Sequence, residues 1–468
     1  MNRQDQSIEQ LYQTLTKAAL TGKKGVLPKR HEQLDCLLHP EAYAPVWHRG
    51  ACTCREEDTS PCQKACLYQA IRRDETGKII IDPKACTGCE ACIDACQGEQ
   101  LLASRDTPAM LLRMKEHTGP VYAMVAPAFL GQFGKATPGQ LRTAFKQLGF
   151  QGMVEVAAFA DILTMKEALE FDANIHTDRD FLLTSCCCPL WISMIRKVYA
   201  QLIPHVPGSV SPMVACGRVI KRLHENAMTV FIGPCLAKKA EAREEDIKDA
   251  VDFVLTFREV EDLFAFAKIH PETLAEDNKD HSSAAGRIYA RTGGVSQAVK
   301  ASVKRLRPDD PVQVRAVQAD GVPGCRALLD QLQNGEISAN FLEGMGCVGG
   351  CVGGPRAIVD RQEGTKNVNR YAAEAPYQTP MENPYVVELL RRLGCETIEQ
   401  HLRGYELTIR AEDARKIEIV SDKTVSTKAP ASRPPHAAGR GRRHGHREKN
   451  GIQANWQKDG TAWPEEGK

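Results

Sequence analysis

Cysteine is the residue type in this sequence that points most directly to chemistry. The chain of 468 residues has eighteen cysteines, and all except Cys36, Cys216, Cys325 and Cys395 lie in five short groups. The polar N-terminus shows no signal peptide, so we expect a cytoplasmic protein, in which disulfides are rare. Grouped thiols in such a protein favour metal binding, whereas the four isolated cysteines are expected to be ordinary thiols.

Two of the groups lie between residues 51 and 100 and predict iron–sulfur clusters. The stretch ACTGCEACIDACQGEQ has the spacing C-x2-C-x2-C-x3-C, and the group before it has the irregular spacing C-x-C-x7-C-x3-C. In bacterial ferredoxins, the first three thiolates of the regular run hold one cluster and the fourth ligates the neighbouring cluster. We therefore predict one [4Fe–4S] cluster on Cys52, Cys54, Cys62 and Cys96, and a second on Cys86, Cys89, Cys92 and Cys66.

Zinc is the alternative metal, because paired cysteines also build zinc sites. A zinc site rarely has the run C-x2-C-x2-C-x3-C, and the intervening RRDETGKIIIDPKAC resembles the hairpin of a ferredoxin. The spacing C-x-C of the first group departs from the ferredoxin pattern. Two clusters in one small unit would carry electrons between the protein surface and a deeper site.

The remaining cysteines lie in three segments that are rich in small or kinking residues. These segments are TSCCCPLW (184–191), GPCLAKKAE (233–241) and LEGMGCVGGCVGGP (342–355). Dense glycine lets a backbone approach a bulky cofactor closely. One such segment alone would be read as a flexible turn with an incidental thiol, but three segments after an electron-transfer unit favour a common site.

The elements that must position these segments predict an α/β fold. From residue 120, VYAMVA and GMVEVAAF read as strands, with QLRTAFKQLGF and DILTMKEALEF as helices. From about residue 226, MTVFIG and VDFVLTF read as strands, with KKAEAREED and REVEDLFAFA as helices. Such alternation predicts parallel sheets. We therefore expect two doubly wound α/β lobes, preceded by a small α+β ferredoxin-like domain.

Composition and charge bound the remaining possibilities. The domains are predicted as a helical and loop extension at 1–49 with a helix over 1–25, a ferredoxin-like domain at 50–105 and an α/β domain at 115–400 that contains the three cysteine segments. A basic tail at 420–468, rich in Pro, Gly and His, is expected to be disordered. The net charge is +2 and no apolar run approaches membrane-spanning length, so nucleic-acid and membrane partners are not expected.

The three segments, in this order, resemble the signature motifs of the catalytic domain of the [FeFe]-hydrogenases, the iron-only hydrogenase family. The resemblance runs from about residue 120 to 395 and includes TGPVYAMVAPAFLGQFG, VDFVLTFREVEDLF and RTGGVSQAV. With the ferredoxin-like unit it covers roughly residues 50–400. This chain departs from the commoner family motifs at three places: it has a tripled cysteine, GPC in place of MPC, and GMGC in place of MAC. In these departures it resembles a less-studied branch of the family.

The resemblance implies a six-iron cofactor, the H-cluster, buried between the two lobes. In this cofactor, a [4Fe–4S] cubane is held by four thiolates. One of these thiolates also bridges to a di-iron unit that carries CO, cyanide and an azadithiolate. The matching ligands are Cys188, Cys235, Cys347 and Cys351, of which Cys351 takes the bridging position.

The cysteine before the first ligand has a separate role in the family, where it faces the distal iron and passes protons. Counting back from Pro189, whose ring fixes the local backbone, makes Cys188 the ligand and Cys187 the proton relay. Counting forward from Thr184 instead shifts both roles by one residue. We prefer the proline count, which leaves Cys186 with a packing role.

Two further residues match family positions around the cofactor. Lys238 matches a lysine that hydrogen-bonds an iron-bound cyanide, and an ammonium suits such an anion. Met345 matches a methionine that packs near the bridging CO, although a methionine here could equally be core filler. The adjacent Lys239 could be a plain surface lysine.

Two carboxylates match the proton route of the family. Glu167 and Glu170 are three residues apart on a predicted helix and share one face, although they could simply be solvated. A serine hydroxyl usually links these carboxylates, but the alignment places Pro207 or Gly208 at its position. Ser209 is the nearby hydroxyl that could substitute.

The function implied by the resemblance is the reversible conversion of two protons and two electrons to H2. Electrons would reach a ferredoxin or similar carrier through the two [4Fe–4S] clusters, and dedicated maturation proteins would supply the di-iron unit. The alternative is a non-catalytic hydrogenase-like protein, either an iron–sulfur assembly factor or an H2 sensor. Assembly-type relatives tend to lose the relay cysteine and the lysine, whereas this chain keeps Cys187 and Lys238.

Overall fold

The structure of the chain is a computed structural model that describes residues 7–22, 33–49, 52, 54, 60–177, 179–309 and 312–392. The predicted tail at 420–468 and the isolated Cys395 lie outside the described residues. The described part is an α/β fold with two parallel sheets, preceded by two short antiparallel strand pairs. None of the helices in these ranges combines the length and apolar character needed to cross a membrane.

The first helix begins and ends with local signals. The Ser7 side chain accepts a hydrogen bond from the Gln10 backbone N–H, the Gln10 side chain accepts one in return, and Gly22 ends the helix with φ +69°. The elements up to residue 116 are α1 (Ile8–Thr21), α2 (Leu34–Leu38), β1 (Val46–His48), α3 (Pro61–Lys64), β2 (Ile71–Arg73), β3 (Ile79–Ile81), α4 (Ala91–Asp94), β4 (Leu101–Ala103) and α5 (Thr107–Glu116).

The cysteine-rich unit, residues 46–103, has the hairpin that its sequence predicts. Strands β2 and β3 pair antiparallel, with Ile71 opposite Ile81. Strand β1 pairs antiparallel with β4, with Val46 opposite Ala103. The prediction of loop throughout 26–50 is therefore wrong at β1 and α2, because β1 is stabilised by a strand distant in sequence.

The elements after residue 120 alternate between strands and helices. The strands are β5 (Val121–Val125), β6 (Gly152–Glu155), β7 (Leu182–Leu183), β8 (Met228–Gly233), β9 (Phe253–Thr256), β10 (Ala316–Asp320) and β11 (Phe341–Met345). The helices are α6 (Pro138–Gln147), α7 (Ala157–Asn174), α8 (Pro189–Val198), α9 (Pro212–Leu223), α10 (Ala237–Ala242), α11 (Phe257–Ala267), α12 (Ala284–Arg287), α13 (Gly294–Leu306), α14 (Gly321–Gln333), α15 (Arg361–Ala373) and α16 (Pro384–Arg392).

The strands form two parallel sheets, but they are divided differently from the sequence expectation. The first sheet has the order β6-β5-β8-β9, so the two strand sets that we read as two lobes form one sheet. The second sheet has the order β10-β11-β7. The predicted fold class, two α/β lobes with parallel sheets, is confirmed. The reason given for it was wrong, because the two repeats of the strand–helix pattern belong to one sheet and do not form one lobe each.

Helix α7 begins earlier than the sequence predicts. The segment GMVEVAAF is a strand only as far as Glu155, and α7 starts at Ala157. A short apolar run does not distinguish a buried strand from a buried helix. Most of α7 is buried, because it packs against α12 and α13 on one side and against α9 on another.

A buried ion-pair network joins the segment before α5 to the first sheet. Lys239 is 1% exposed, and its Nζ donates to Ser104 O, Asp106 Oδ1 and Glu259 Oε2, each at 2.9 Å. The interpretation of Lys239 as a plain surface lysine is therefore wrong. Its partners come from residues far apart in sequence, so nothing local predicted its burial.

We expect Lys239→Met to destabilise the protein strongly. Loss of the ammonium leaves the buried Glu259 carboxylate without its cation and leaves Asp106 paired with Arg243 alone, which should lower the free energy of unfolding by about 3 kcal/mol. Denaturant unfolding of the cluster-loaded protein measures this change.

The matched control is Lys248→Met, because the Lys248–Glu245 pair is largely exposed. This change should alter the free energy of unfolding by less than about 0.5 kcal/mol. Equal unfolding midpoints for the two variants would contradict the assigned role of Lys239.

Candidate functional site

Four cysteines from three loops lie together at the carboxyl ends of parallel strands. Cys188 follows β7 and Cys235 follows β8, whereas Cys347 and Cys351 both follow β11. Every pair among these four thiols interacts electrostatically, and none of them is exposed. The structure therefore brings the three cysteine motifs into one place, which we call the four-thiol site.

Backbone contacts between the loops hold the four-thiol site together. Cys188 Sγ accepts a hydrogen bond from Gly346 N–H at 3.2 Å. Arg356 N–H donates to Pro234 O at 3.1 Å, which fixes the end of the glycine-rich loop against the loop of Cys235. The β11 loop therefore contacts both of the other cysteine loops directly.

Two carboxylates anchor the glycine-rich loop at the N-terminus of α13. Glu343 is buried and accepts from the backbone N–H groups of Gly293 and Ser296, each at 2.7 Å. Asp320 Oδ2 accepts from Gly349 N–H at 2.8 Å and from a threonine hydroxyl at 3.0 Å. Negative charge at a helix N-terminus is favourable, so these contacts fix the loop that carries two of the four thiols.

Burial has the largest effect on the pKa values of two of the four thiols. Together with the charges of neighbouring thiols, and against the opposing charge of Lys238, it raises the pKa of Cys235 to about 12 and that of Cys351 to about 11. These two thiols are therefore neutral without a metal, and a bound metal would displace their protons.

Lys238 supplies a positive charge beside the four-thiol site. Its Nζ lies 2.6 Å from Glu241 Oε2, and both side chains are buried. Burial acts to lower the pKa of Lys238, but the charge and hydrogen bond of Glu241 outweigh it and leave the pKa above the usual lysine value. Lys238 also interacts electrostatically with Cys187 and Cys235, so its positive charge acts on the site.

The other two cysteines of the triple run face different surroundings. Cys187 interacts electrostatically with Cys188, Cys351 and Lys238. Cys186 is buried, and its thiol donates to Glu167 Oε1 at 3.6 Å. Cys187 therefore lies toward the four-thiol site. The packing role expected for Cys186 is incomplete, because its thiol makes a polar contact.

The two candidate carboxylates of the proton route lie on α7 in different environments. Glu167 is 1% exposed and accepts from the Thr184 hydroxyl as well as from Cys186. Burial raises the pKa of Glu167 to about 7, and the charge of Glu170 raises it further, against the two hydrogen bonds. Glu170 is partly exposed and pairs with Lys166. The interpretation as two solvated carboxylates is therefore wrong for Glu167.

The cysteines of the cysteine-rich unit can be compared with the two predicted cluster sets, which stay predictions. Every pair in one set, Cys66, Cys86, Cys89 and Cys92, interacts electrostatically. The other set, Cys52, Cys54, Cys62 and Cys96, lines a single cavity of about 220 Å3. The Sγ atoms of Cys52 and Cys54 are 2.6 Å apart, so they would have to separate to bind two different irons. The irregular C-x-C spacing is thus the part that fits the cluster prediction least well.

The arrangement of donors fits clusters better than single ions. A zinc site needs three or four donors at about 2.0–2.3 Å from one point. No three His, Cys, Asp or Glu side chains in the described ranges are arranged around one ion in this way. A four-iron cubane spreads its thiolates over four metals, and the four-thiol site supplies four thiols from three loops, none of them exposed. The residues present therefore fit a cubane.

The cysteine-rich unit packs directly on the four-thiol site. A Cβ on Gly88, between two cysteines of the first set, would lie 3.0 Å from the backbone of Ala237, just after Cys235. Tyr68 donates to Leu190 O at 3.2 Å and interacts electrostatically with cysteines of both sites. Nothing in the local sequence around Tyr68 predicted this position between the two sites.

Met345 and the isolated Cys325 lie in the surrounding core. Met345 is 1% exposed and belongs to the cluster against which Cys187 and Cys188 pack, so its position is near the site. Cys325 is buried, donates to Met345 O at 3.3 Å and interacts electrostatically with Cys188. Cys325 is therefore a core thiol, as expected, but it lies beside the four-thiol site.

Sequence comparisons identify a protein family and known relatives. Residues 119–355 match the family described as "Iron only hydrogenase large subunit, C-terminal domain". Iron hydrogenase 1 of Clostridium pasteurianum is 27% identical over 274 residues, which are 50% of this chain and 48% of that protein. This chain thus spans about half the length of that relative. Nuclear prelamin A recognition factor of Homo sapiens is 21% identical over 375 residues, covering 65% of this chain and 81% of that protein.

Solved structures agree with the sequence family. A variant of the [FeFe]-hydrogenase HydA1 from Chlamydomonas reinhardtii has a TM-score of 0.52 and 21% identity, over 62% of this chain and 93% of that chain. At this identity the likeness concerns the fold alone. Because the family match covers half of the chain and includes all three cysteine motifs, this chain belongs to the iron-only hydrogenase large-subunit family.

Proposed function

We propose that this protein is an iron-only hydrogenase that interconverts H2 with two protons and two electrons. The observation that carries the proposal is the position of Cys187, between the four-thiol site and a buried carboxylate path. A thiol in that position can exchange protons with a metal-bound substrate on one side and with the interior of the protein on the other. An electron-transfer protein alone would have no use for such a path.

The cofactor expected for this activity is the H-cluster. Its cubane would be held by Cys188, Cys235, Cys347 and Cys351, with Lys238 hydrogen-bonded to a cyanide and Met345 packed beside the di-iron unit. When bound, the di-iron unit supplies the centre at which the H–H bond forms or breaks. The protein supplies ligation, a buried pocket and the proton route.

The proton route would begin at Cys187 and continue to Glu167 and Glu170. Cys186 already donates to Glu167, so it can extend the route between the metal side and α7. The pKa of Glu167, near 7, lets this carboxyl both accept and release a proton at neutral pH. The hydrogen bond from Thr184 holds its other oxygen in place.

The electron route would run through the cysteine-rich unit. The set of Cys66, Cys86, Cys89 and Cys92 would hold the inner [4Fe–4S] cluster, and the cavity lined by Cys52, Cys54, Cys62 and Cys96 would hold the outer one. We propose a ferredoxin-type carrier as electron partner, dedicated maturation proteins for the di-iron unit, and a cytoplasmic location.

A second candidate function is a non-catalytic role in iron–sulfur assembly. The human relative named for prelamin A recognition covers 65% of this chain, more than the 50% covered by Iron hydrogenase 1. Cytosolic iron-sulfur assembly component 3 of Pongo abelii is 24% identical over 307 residues. We favour the hydrogenase because Cys187 and Lys238 lie together at the four-thiol site.

Infrared spectroscopy distinguishes the two functions. Protein expressed with the di-iron maturation factors should show bands of iron-bound CO and cyanide and should evolve H2 from a reduced carrier. Protein expressed without these factors should show neither. An assembly protein would bind iron–sulfur clusters but give no CO or cyanide bands under either condition, and that result would overturn the proposal.

Cys187→Ser should leave the infrared bands in place but slow H2 turnover by about 10²–10⁴-fold, since a serine hydroxyl is a far weaker acid than a thiol. Gas chromatography measures the turnover. The control is Cys36→Ser, which changes a thiol that belongs to neither metal site. Full turnover in Cys187→Ser would show that another group is the relay, and Cys186→Ser should then be the slow variant.

Gly350→Ala should prevent the four-thiol site from holding a cubane. Gly350 has φ +85°, and a Cβ there would lie 2.8 Å from the Thr292 backbone nitrogen. The loop must therefore move and displace Cys351. Gly335→Ala is the matched control, with φ +71° but open space around the added Cβ. In protein expressed without the di-iron maturation factors, iron content should fall by about four per chain in Gly350→Ala only, and unchanged iron would contradict this account.

A further inference from the structure

Lys166 is a buried cation that has no assigned part in the proton route. It lies on α7 directly before Glu167 and is 3% exposed. Its Nζ donates to Glu170 Oε1 and to Ser209 Oγ, each at 2.6 Å. Because an unpaired buried charge is costly, the ion pair with Glu170 offsets the burial of Lys166.

The two oxygens of Glu170 have different surroundings. Oε1 accepts from Lys166, whereas Oε2 is buried and has no hydrogen-bond partner among the residues that the structure describes. Glu167 lies one helical turn earlier on the same face of α7, and the charges of the two carboxylates interact. Oε2 is therefore the oxygen that is available to a proton leaving Glu167.

Resting on the proposed function, we propose that Lys166 is a positioning residue of the proton route, which joins Glu170 to Ser209 and fixes the orientation of the Glu170 carboxyl group. In the transfer, the Glu167 carboxylic acid becomes a carboxylate and the Glu170 carboxylate becomes the acid. Glu170, whose side chain is 26% exposed, then releases the proton to water. Lys166 takes no part in the transfer itself.

This arrangement explains what Ser209 does in the chain. The backbone position expected for a bridging serine is Pro207 or Gly208, neither of which has a hydroxyl. Ser209 reaches the route through the ammonium of Lys166 instead of bridging the carboxylates directly. The ammonium of Lys166 thereby occupies the place of the bridging serine hydroxyl. That hydroxyl would itself pass the proton on, whereas Lys166 only positions Glu170.

The charges around Glu167 determine in which direction its pKa should move when a neighbouring residue is substituted. Burial has the largest effect and raises the pKa of Glu167 to about 7. The charge of Glu170 raises this pKa further, whereas the charge of Lys166 and hydrogen bonds from the β7–α8 loop lower it. The titratable or charged groups that face Glu167 are Lys166 and Glu170 on α7, Cys186 after β7 and Tyr289 in the 3-10 helix after α12.

The test measures the protonation of Glu167 by infrared spectroscopy, in protein that carries its iron–sulfur clusters but was expressed without the di-iron maturation factors. The C=O stretching band of a protonated carboxylic acid is assigned to Glu167 by its loss in Glu167→Gln. In Lys166→Met, the pH midpoint of this band should rise by about one unit. In Glu170→Gln it should fall, because the charge that raises the pKa is removed.

The opposite signs of these two shifts guard against misfolding, which would move both variants in one direction. Lys166→Arg, which keeps the positive charge, should have a midpoint close to that of the unchanged protein. In matured protein, Lys166→Met should slow H2 turnover about tenfold at neutral pH and move its pH profile in the direction of the infrared shift.

Two results separate this inference from the proposed function. An infrared midpoint in Lys166→Met equal to that of the unchanged protein would overturn the role of Lys166, even if the matured protein evolves H2. If the two variants show opposite infrared shifts but the matured protein evolves no H2, the charge arrangement around Glu167 is supported. The same result would overturn the proposed hydrogenase function, in which that arrangement serves proton transfer.

Discussion

The constraint on which the rest of this structure depends is the meeting of strand ends from two parallel sheets. Residues after the carboxyl ends of parallel strands lie along one edge of a sheet. Here β8 belongs to the first sheet, and β7 and β11 belong to the second. The loops after these three strands bring together four thiols that are as much as 163 residues apart, between Cys188 and Cys351. The side chains and backbone groups that hold these loops therefore hold the site.

In the proposed function, the four-thiol site would have an electron side and a proton side, built from different parts of the chain. On one side, the cysteine-rich unit packs against the Cys235 loop, and Arg356 pairs with Glu90 to fix the two together. On another side, Cys187 lies next to Cys186, whose thiol donates a hydrogen bond to Glu167 on α7. This separation suits a reaction in which electrons and protons arrive together but travel by different routes.

The sequence predicted the family and the fold class better than the division of strands between sheets. Cysteine spacing predicted the two cluster sets, because metal binding requires fixed residue types at short, local spacings, and the family resemblance implied the four ligands of the third cluster. These ligand assignments stay predictions. The division of strands between sheets was not predictable from local pattern, since β8 joins β5 through contacts distant in sequence. Burial of Lys239 and the bridging position of Tyr68 depend on such distant partners too. The pair Lys166 and Glu170 did carry a local signal, four residues apart on one helix, and the sequence analysis missed it.

The central claim is that Cys188, Cys235, Cys347 and Cys351 hold one iron cluster between the two sheets. Anomalous X-ray scattering at the iron absorption edge, from crystals of the protein prepared without oxygen, tests this claim directly. The account predicts a compact group of iron peaks enclosed by these four sulfur atoms, with two separate groups in the cysteine-rich unit. Iron confined to the cysteine-rich unit, in crystals that show an ordered β11 loop, would contradict it.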